Sequence, residues 1–238
     1  MPPVPVLCFP FAGAGASALR RLQEHPTDVL RICPVQLPGR EERFDEPPYT
    51  DVLHAVAELL PDALDQLDGS PQVALFGHSL GAVLSYEMAH QLAAVEGLSV
   101  AQLFVSGSPG PWTRRERRAT GLSDEEFLER VREFAGYAHP ALDHPELREM
   151  LLPTLRADVA MHEDYLAPSP KPLDAPITSI RGTHDELVSA EQSDEWAQAT
   201  TAGWQSVELP GNHMYLVDSP GDLVRLMETV LAGQPVAR

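Results

Sequence analysis

Three side chains of this sequence, Ser79, Asp185 and His213, have the types and the chain order of a nucleophile, an acid and a base. Ser79 lies in the pentapeptide Gly77-His78-Ser79-Leu80-Gly81, directly after the apolar run 73–76. A G-x-S-x-G pattern between a strand and a helix is typical of the tight turn that presents a nucleophilic serine, and its glycines leave room for that turn. Because a serine hydroxyl becomes nucleophilic when a neighbouring base takes its proton, the pattern predicts acyl transfer.

The acid and the base of this scheme each follow a predicted strand. Asp185 comes shortly after the strand 177–181, and His213 comes shortly after the strand 206–209. The order serine, acid, histidine, with each residue in a loop behind a strand, is that of the α/β-hydrolases. Some hydrolases place the acid one strand earlier, but here that loop, 106–109, contains no carboxylate. Asp185 is therefore the predicted acid.

Three neighbouring residues compete for these roles. Glu186 adjoins Asp185 and is expected to point away from the base, while His184 is expected to cap a turn. His78 precedes the nucleophile and is expected to pack inside the turn. Minor alternatives, with Glu186 as the acid or His184 as the base, stay open at this point.

Acyl transfer also needs two backbone N–H groups directed at the oxyanion of the tetrahedral intermediate, each worth roughly 10²–10³ in rate. One is predicted at Leu80, which follows the nucleophile and begins a helix whose dipole favours negative charge. The other is predicted in the loop 9–16 after the first strand, where glycines and alanines let the backbone approach a substrate. The same loop could cradle a phosphate, but no G-x-G-x-x-G or Lys-Ser/Thr pattern supports that alternative.

The composition excludes several classes of protein. The chain has 238 residues, of which 43% are apolar and 22% charged, so it is long enough for one domain with a full core. Its net charge of −18 disfavours a nucleic-acid partner, because phosphate binding needs a basic surface. No apolar run reaches the ~20 residues of a membrane span, and residues 1–5 lack a signal-peptide pattern. We therefore expect a soluble cytoplasmic protein that does not contact a membrane.

The two cysteines, Cys8 and Cys33, fall in predicted buried strands, and neither has another Cys or a His at metal-ligand spacing. We expect free thiols in the core, because nothing indicates the oxidising compartment that a disulfide needs. No metal site is predicted, and the acyl-transfer chemistry needs no metal or redox cofactor.

Strand-like and helix-like segments alternate along most of the chain, which predicts a mostly parallel sheet with helices on both faces. Predicted strands cover 4–9, 29–37, 72–76, 100–105, 177–181 and 206–209. Predicted helices cover 17–24, 49–67, 80–94, 190–200 and 220–231. Ser17 is expected to cap the first helix and Pro61 to interrupt the second. Ligands of such sheets bind beyond the carboxyl ends of the strands, where Ser79 is expected.

One segment, about 111–172, breaks the alternation and has helical patterns without a convincing strand. It includes a capping-box signature at residues 123–126 and a longer helical stretch at 145–166. We predict a single domain, 1–238, in which this segment forms a helical lid over the active end of the sheet.

An arginine cluster is the local exception to the acidic composition. Arg114, Arg115, Arg117 and Arg118 surround one glutamate within five residues. Two interpretations stay open, a solvated loop or a docking patch for an acidic partner.

Four segments together resemble the type II thioesterases, the stand-alone editing enzymes of polyketide synthases and non-ribosomal peptide synthetases. They are Phe9-Pro10-Phe11-Ala12-Gly13, Val35-Gln36-Leu37-Pro38-Gly39-Arg40, Gly77-His78-Ser79-Leu80-Gly81 and Gly211-Asn212-His213. The similarity extends over nearly the whole chain and includes residues 151–158 of the lid segment. The Gln-Leu-Pro-Gly-Arg run is far more specific to this family than the serine pentapeptide.

The resemblance implies an α/β-hydrolase fold with a helical lid. It also implies hydrolysis of acyl groups from the phosphopantetheine thiol of an acyl or peptidyl carrier protein, which would be the acidic partner. The triad falls on Ser79, Asp185 and His213, and the oxyanion donors fall on the amides of Ala12 and Leu80. The substrate itself carries the phosphopantetheine, so the enzyme needs no cofactor of its own.

The chain departs from the family pattern at two positions. The family often has Ala-Gly-Gly-Gly in its first loop, whereas Ala14 interrupts the glycines here and is expected to narrow the mouth of the acyl pocket. Leu80 stands where the family often has Met. We expect little effect of that difference, because residue 80 donates through its backbone.

Other functions stay open at this point. The same chemistry would serve an acyl-CoA thioesterase or a soluble carboxylesterase, and a cyclising thioesterase embedded in a synthase is a further option. A non-catalytic binding module is disfavoured, because it would not need Ser79, Asp185 and His213 together. Since the chain begins directly before its first strand, we expect a free-standing enzyme.

Overall fold

A six-stranded parallel sheet organises the structure, a computed structural model that describes residues 2–114, 119–135, 140–168 and 170–234. The strands are β1 (Val4–Phe9), β2 (Leu30–Pro34), β3 (Gln72–His78), β4 (Ser99–Ser106), β5 (Ile177–Gly182) and β6 (Trp204–Leu209). Their spatial order is β2-β1-β3-β4-β5-β6, and every neighbouring pair is parallel. The predicted α/β class is confirmed.

Helices cover both faces of this sheet. They are α1 (Ala16–Arg20), α2 (Val52–Leu67), α3 (Leu80–Ala93), α4 (Asp124–Ala135), α5 (Pro145–Asp164), α6 (Ala190–Asp194), α7 (Tyr215–Asp218) and α8 (Pro220–Leu231). Successive residues of β3 point to opposite faces, as the pleat requires. Val73 and Leu75 join the apolar cluster that contains α2 and α3, while Ala74 and Phe76 join the cluster that contains α1 and α8.

The register of the sheet brings the ends of its strands to one edge. Phe9 of β1 pairs with Gly77 of β3, and His78 pairs with Ser106 of β4. The last residues of β5 and β6 pair with each other as well. The loops that follow β1, β3, β5 and β6 therefore leave the sheet side by side, which is where ligands of parallel sheets bind.

The prediction that Pro61 interrupts the second helix is wrong, because α2 continues through it. Asp51 caps this helix by accepting the amide of His54 at 2.8 Å. Pro61 lies on the exposed face, whereas a buried stripe that includes Val56, Leu59 and Ala63 faces the core. Burial of that stripe outweighs the one backbone hydrogen bond that proline removes.

Two further boundaries differ from prediction near the chain start. Helix α1 begins at Ala16 with Gly15 as its N-cap, so Ser17 is not the cap. The Ser17 amide and hydroxyl instead donate to the carboxylate of Glu41. Strand β2 ends at Pro34 rather than at residue 37, because the chain turns away from the sheet after the amide of Val35 bonds to β1.

Helices α4 and α5 form the segment between β4 and β5, which we call the lid. The capping box at the start of α4 is present: Glu126 donates its amide to the Ser123 hydroxyl, and the Ser123 amide donates to the Glu126 carboxylate. Both helices contribute to one small apolar cluster that includes Phe127, Leu128 and Leu155. The two lid helices thus pack on each other through a core of their own.

Cys8 and Cys33 are buried as free thiols. Among the described residues, no helix combines the length and apolar character that crossing a bilayer demands.

Candidate active site

Ser79 occupies a strained turn between β3 and α3. Its φ is +54°, which non-glycine residues rarely adopt, and strain of this kind concentrates at functional sites. A Cβ on Gly77 would lie 1.9 Å from the carbonyl oxygen of Gly81, and a Cβ on Gly81 would lie 2.2 Å from that of Phe9. The turn therefore needs both glycines, one to close it and one to let it touch β1.

Asp185 and His213 form a buried hydrogen-bonded pair in the loops behind β5 and β6. The Asp185 Oδ2 and His213 Nδ1 atoms are 2.9 Å apart, and each residue is 6% exposed. The other carboxylate oxygen accepts the amides of Leu187 and Val188 at 2.9 and 3.1 Å. An ionised acceptor at Nδ1 fixes the tautomer that leaves Nε2 free to accept a proton.

The hydrogen bonds of Asp185 outweigh its burial. Burial by itself would raise the pKa of the Asp185 carboxyl, but hydrogen bonds from His213, Leu187 and Val188 and the charge of His213 lower that pKa below its ordinary value. Asp185 is therefore a carboxylate at neutral pH, as an acid that orients an imidazole must be.

The two loops that carry this pair are tied to each other through their backbones. The amide of His184 donates to the carbonyl of Gly211 at 2.8 Å. Gly182 lies so close to the second loop that a Cβ there would be 2.1 Å from the carbonyl oxygen of Asn212. The side chain of Asn212 in turn accepts the amide of Met214 at 2.9 Å. Backbone contacts thus set the distance between acid and base.

The ring of His78 packs against the ring of His213. Its ring centroid lies 4.8 Å from that of His213, and its Nδ1 is 2.8 Å from the hydroxyl of Ser106, which is 2.7 Å from that of Tyr215. Burial, together with the nearby charge of His213, holds the pKa of His78 well below its usual range, so the ring is neutral. A Cβ on Gly107 would be 2.5 Å from His78 and 2.9 Å from His213, so this residue packs against both rings.

A cavity of about 380 Å³ opens in front of Ser79 and His213. The core side of its wall includes Phe11, Ala12, Pro109, Leu187, Val188 and Met214, and the lid contributes Val131, Leu155, Val159, His162 and Glu163. The wall is mostly apolar beside a few convergent polar groups, which is the usual character of a small-molecule site. The lid therefore forms one side of a chamber that an acyl chain can enter.

The two predicted oxyanion donors are the amides of Leu80 and Ala12. Leu80 is the first residue of α3, so its N–H has no acceptor within the helix. Ala12 lines the cavity in the loop behind β1. The start of α3 touches that loop, because a Cβ on Gly81 would also lie 2.9 Å from the carbonyl oxygen of Pro10. Both predicted donors thus lie at the same end of the sheet as the nucleophile.

A buried ion pair next to this loop escaped sequence reasoning. Arg40 and Asp158 are 5% and 1% exposed, and they meet through two hydrogen bonds of 2.5 and 2.8 Å. Arg40 belongs to the family-specific run 36–40, and Asp158 belongs to α5 of the lid. The only local sign of the pair is an aspartate on the buried side of a lid helix, which sequence periodicity did not single out.

A family model described as a thioesterase domain matches residues 4–231 of this chain. The chain belongs to the thioesterase family. The gramicidin S biosynthesis protein GrsT of Aneurinibacillus migulanus is 31% identical to this thioesterase over 93% of this chain and 86% of GrsT.

Solved structures agree with that membership. RedJ, a thioesterase from the prodiginine pathway of Streptomyces coelicolor, is 36% identical with a TM-score of 0.84, over 96% of this chain and 85% of RedJ. YbtT, a type II thioesterase from the yersiniabactin NRPS/PKS pathway, is 26% identical with a TM-score of 0.83, over 95% and 92%. These likenesses confirm the α/β-hydrolase fold and the resemblance to type II thioesterases.

The alternative acid and base, Glu186 and His184, have surroundings unlike those of Asp185 and His213. Glu186 borders the cavity but is exposed, while Asp185 is hydrogen-bonded to His213. The His184 ring lies 3.1 Å from the Thr183 hydroxyl. Ala14 is not among the described residues that line the cavity; it is buried, so the expected narrowing of the pocket mouth at this residue is wrong.

The predicted arginine patch is only partly visible in this thioesterase. Arg114 is exposed, whereas Arg115, Arg117 and Arg118 lie outside the described residues. Its role in docking stays a prediction. Within the described ranges, no group of three or more His, Cys, Asp or Glu residues is placed to hold a metal ion.

Proposed function

We propose that this protein is a stand-alone editing thioesterase, which hydrolyses acyl groups from the phosphopantetheine thiol of acyl or peptidyl carrier proteins. The observation that carries the proposal is the hydrogen-bonded pair of Asp185 and His213 at the rim of the cavity that also holds Ser79. Membership in the thioesterase family identifies the bond that is cleaved as a thioester. The likeness to YbtT, named as a type II thioesterase of an NRPS/PKS pathway, supports the editing role and the carrier-bound substrate.

The proposed reaction proceeds through a covalent acyl-enzyme. Ser79 Oγ attacks the thioester carbonyl carbon while His213 Nε2 takes its proton. The amides of Ala12 and Leu80 donate to the oxyanion of the tetrahedral intermediate. The carbon–sulfur bond then breaks, and the carrier thiolate takes the proton from His213.

Water completes the cycle in a second acyl transfer. His213 removes a proton from a water molecule, whose oxygen attacks the acyl carbon, and Ser79 regains its proton when the ester breaks. Asp185 stays ionised throughout and stabilises the imidazolium that forms in both steps. The reaction uses side chains and amides of this chain only, so we propose that it needs no metal or redox cofactor. A cytoplasmic location is part of the same proposal.

The chamber under the lid is the proposed site of the acyl chain. Leu155 and Val159 of the lid line the cavity together with Phe11 and Leu187 of the core, so a chain of methylene groups would meet apolar surface from both. The carrier protein itself would stay outside, because only its phosphopantetheine arm needs to reach Ser79.

One substrate panel tests the function. The same acyl group is presented on a carrier protein, on coenzyme A and as an oxygen ester, from acetyl to long chains, to the wild type and to Ser79→Ala. We expect the highest kcat/KM on the carrier and a loss of about 10⁴-fold or more in Ser79→Ala. Equal rates for the two proteins would contradict the nucleophile assignment, and a preference for coenzyme A or the oxygen ester would favour the alternative substrates.

Labelling separates an enzyme from a binding module. A serine-directed fluorophosphonate should label the wild type and leave Ser79→Ala unlabelled, because the reagent needs an activated hydroxyl. An unlabelled wild type would indicate a hydrolase scaffold used for binding.

Carrier docking is tested by charge. Reversing Arg114, Arg115, Arg117 and Arg118 to glutamate should raise KM for a carrier-bound substrate and leave the small oxygen ester unaffected, because only the carrier presents an acidic surface. An unchanged KM on the carrier would remove the patch from the proposal.

A further inference from the structure

Side chains from distant parts of the sequence hold the loop 9–16, which contains the proposed donor Ala12 and which we call the oxyanion loop. Asp158 Oδ2 accepts the amide of Gly13 at 2.8 Å, one residue beyond the proposed donor Ala12. The same oxygen receives Nη1 of Arg40 at 2.5 Å, and that nitrogen also donates to the carbonyl of Ala14 at 3.1 Å. One ion pair thus fixes two consecutive residues of the loop.

The turn that contains Ala12 leaves its amide little freedom. Ala14 donates its amide to the carbonyl of Phe11 at 3.0 Å, which closes a four-residue turn around Ala12 and Gly13. Asp158 holds the turn at Gly13, and Arg40 holds it at Ala14. The direction of the Ala12 N–H is therefore set by how the ion pair seats the turn.

The ion pair also fastens the lid to the loop. Gly13 has a φ of +77°, and a Cβ there would lie 2.8 Å from Leu155 Cδ1, so helix α5 rests directly on the turn. One turn of helix away from Asp158, the hydroxyl of Thr154 donates to the carbonyl of Gly39 at 3.0 Å. The lid cannot move away from the core at this point without releasing Gly13.

We infer that Arg40 and Asp158 are positioning residues, which orient the oxyanion-donating amide of Ala12 and make its alignment depend on the seating of lid helix α5. The inference rests on the proposed acyl-transfer function. A planar guanidinium with two bonds to one carboxylate gives a fixed geometry that a lysine cannot reproduce. Electrostatic stabilisation of an oxyanion depends on such preorganised donors, because they need no rearrangement when the charge develops.

The decisive variants are Asp158→Asn and Arg40→Lys, which keep side-chain size but remove the charge or the two-pronged geometry. We expect kcat to fall about 10- to 100-fold, less than the 10²–10³ for loss of a whole donor, with KM changed little. A trifluoromethyl ketone analogue, which forms a tetrahedral oxyanion on Ser79, should lose affinity in proportion to kcat/KM. A thioether analogue of the ground state should bind as tightly as to the wild type.

Tyr165→Phe is the matched control. Its hydroxyl donates to Glu87 of α3 at 2.6 Å, so the variant loosens the end of the lid and leaves the hydrogen bond between Gly13 and Asp158 in place. We expect its kcat and its ketone affinity to stay near wild type. If Asp158→Asn and Tyr165→Phe lower kcat equally, or if the ketone binds Asp158→Asn as tightly as the wild type, the positioning role is wrong.

The assay separates this inference from the proposed function. All variants are also measured on a p-nitrophenyl ester, because the oxyanion forms on oxygen esters and thioesters alike. A wild type that cleaves the ester but no carrier-bound thioester would contradict the proposed substrate, and the ester rates would still test the pair. If Asp158→Asn does not fold, Arg40→Lys carries the same test. Wild-type kcat in that variant would overturn the inference.

Discussion

The two sides of this active site are built by different means. On the acid–base side, Asp185 and His213 are 28 residues apart, follow adjacent strands and sit in loops joined by backbone hydrogen bonds. On the oxyanion side, the loop at Gly13 depends on side chains that come from Arg40 and from Asp158, 145 residues away. Sheet topology places the proposed base, His213, whereas a polar contact with the lid holds the loop of the proposed oxyanion donor, Ala12.

This difference matters for how each side tolerates change. A loop tied by backbone amides keeps its shape when surface side chains vary, because the ties do not depend on residue type. A loop tied by a buried ion pair loses its shape when either partner is replaced, since the remaining charge is left without compensation. We therefore expect a substitution at Arg40 or Asp158 to disturb the oxyanion side more than a surface substitution disturbs the acid–base side.

The largest expected effect on the acid–base side comes from Asp185→Asn. The amide keeps the shape but favours the wrong imidazole tautomer, so we expect kcat to fall about 10⁴-fold with the fold intact. Glu186→Gln is the control, because this neighbour is exposed, and its effect should be far smaller. Steady-state kinetics on one thioester checks both, and a comparable loss in Glu186→Gln would contradict the assignment of the acid.

Gly107→Ala tests how rigid that side is. The new methyl group would lie 2.5 Å from His78 and 2.9 Å from His213, at a residue whose φ is +55°. Because the backbone would be strained and the base displaced, we expect about 1–3 kcal/mol of lost stability and a fall in kcat of up to about 100-fold. Thermal unfolding and kinetics measure the two effects, and wild-type values in both would show that the rings can move.

Thr154→Val sharpens the comparison on the lid side. It removes the hydrogen bond to Gly39 but leaves Asp158 on Gly13, so stability should fall by about 1 kcal/mol. The rate should change much less than in Asp158→Asn, because the turn around Ala12 keeps its contacts. A loss of kcat as large as that of Asp158→Asn would show that any loosening of the lid impairs catalysis.

Glu87→Gln has the smallest expected effect, and it changes the residue that accepts the hydrogen bond from Tyr165 at the end of the lid. Burial raises the pKa of Glu87, although its hydrogen bond from Tyr165 opposes this. Because the pKa of Glu87 is raised in the folded state, its contribution to stability is fully present below pH 4.5, the ordinary pKa of a glutamate. That contribution is lost as the pH rises through the folded-state pKa. The melting temperature of the variant, relative to that of the wild type, should therefore rise between pH 4 and pH 7. A constant difference across that range would contradict the shift.

The sequence supports prediction well where the signal is local. Ser79, Asp185 and His213 each follow a strand with a clear apolar pattern, and parallel strands bring such loops together by topology alone. The capping box at Ser123 is likewise a pattern of four residues. These features need no knowledge of the tertiary structure.

Other features depend on contacts that no window along the chain contains. Pro61 lies within a continuous helix because the buried stripe of α2 outweighs its local cost. The pairing of Arg40 with Asp158 spans 118 residues, so neither residue indicates the other. The run 36–40 is typical of the family, and the contact of its Arg40 with Ala14 in the oxyanion loop gives it a physical role.

The long reach of the Gly13–Asp158 hydrogen bond also has a consequence for the moment at which activity arises during synthesis. The ribosome makes the serine turn early, but the partner of the oxyanion loop emerges 145 residues after Gly13, and the base emerges later still, at residue 213. Contacts between distant segments form late in folding, because long loops must close first. On the proposed mechanism, a nascent chain thus contains Ser79 well before it can cleave a thioester.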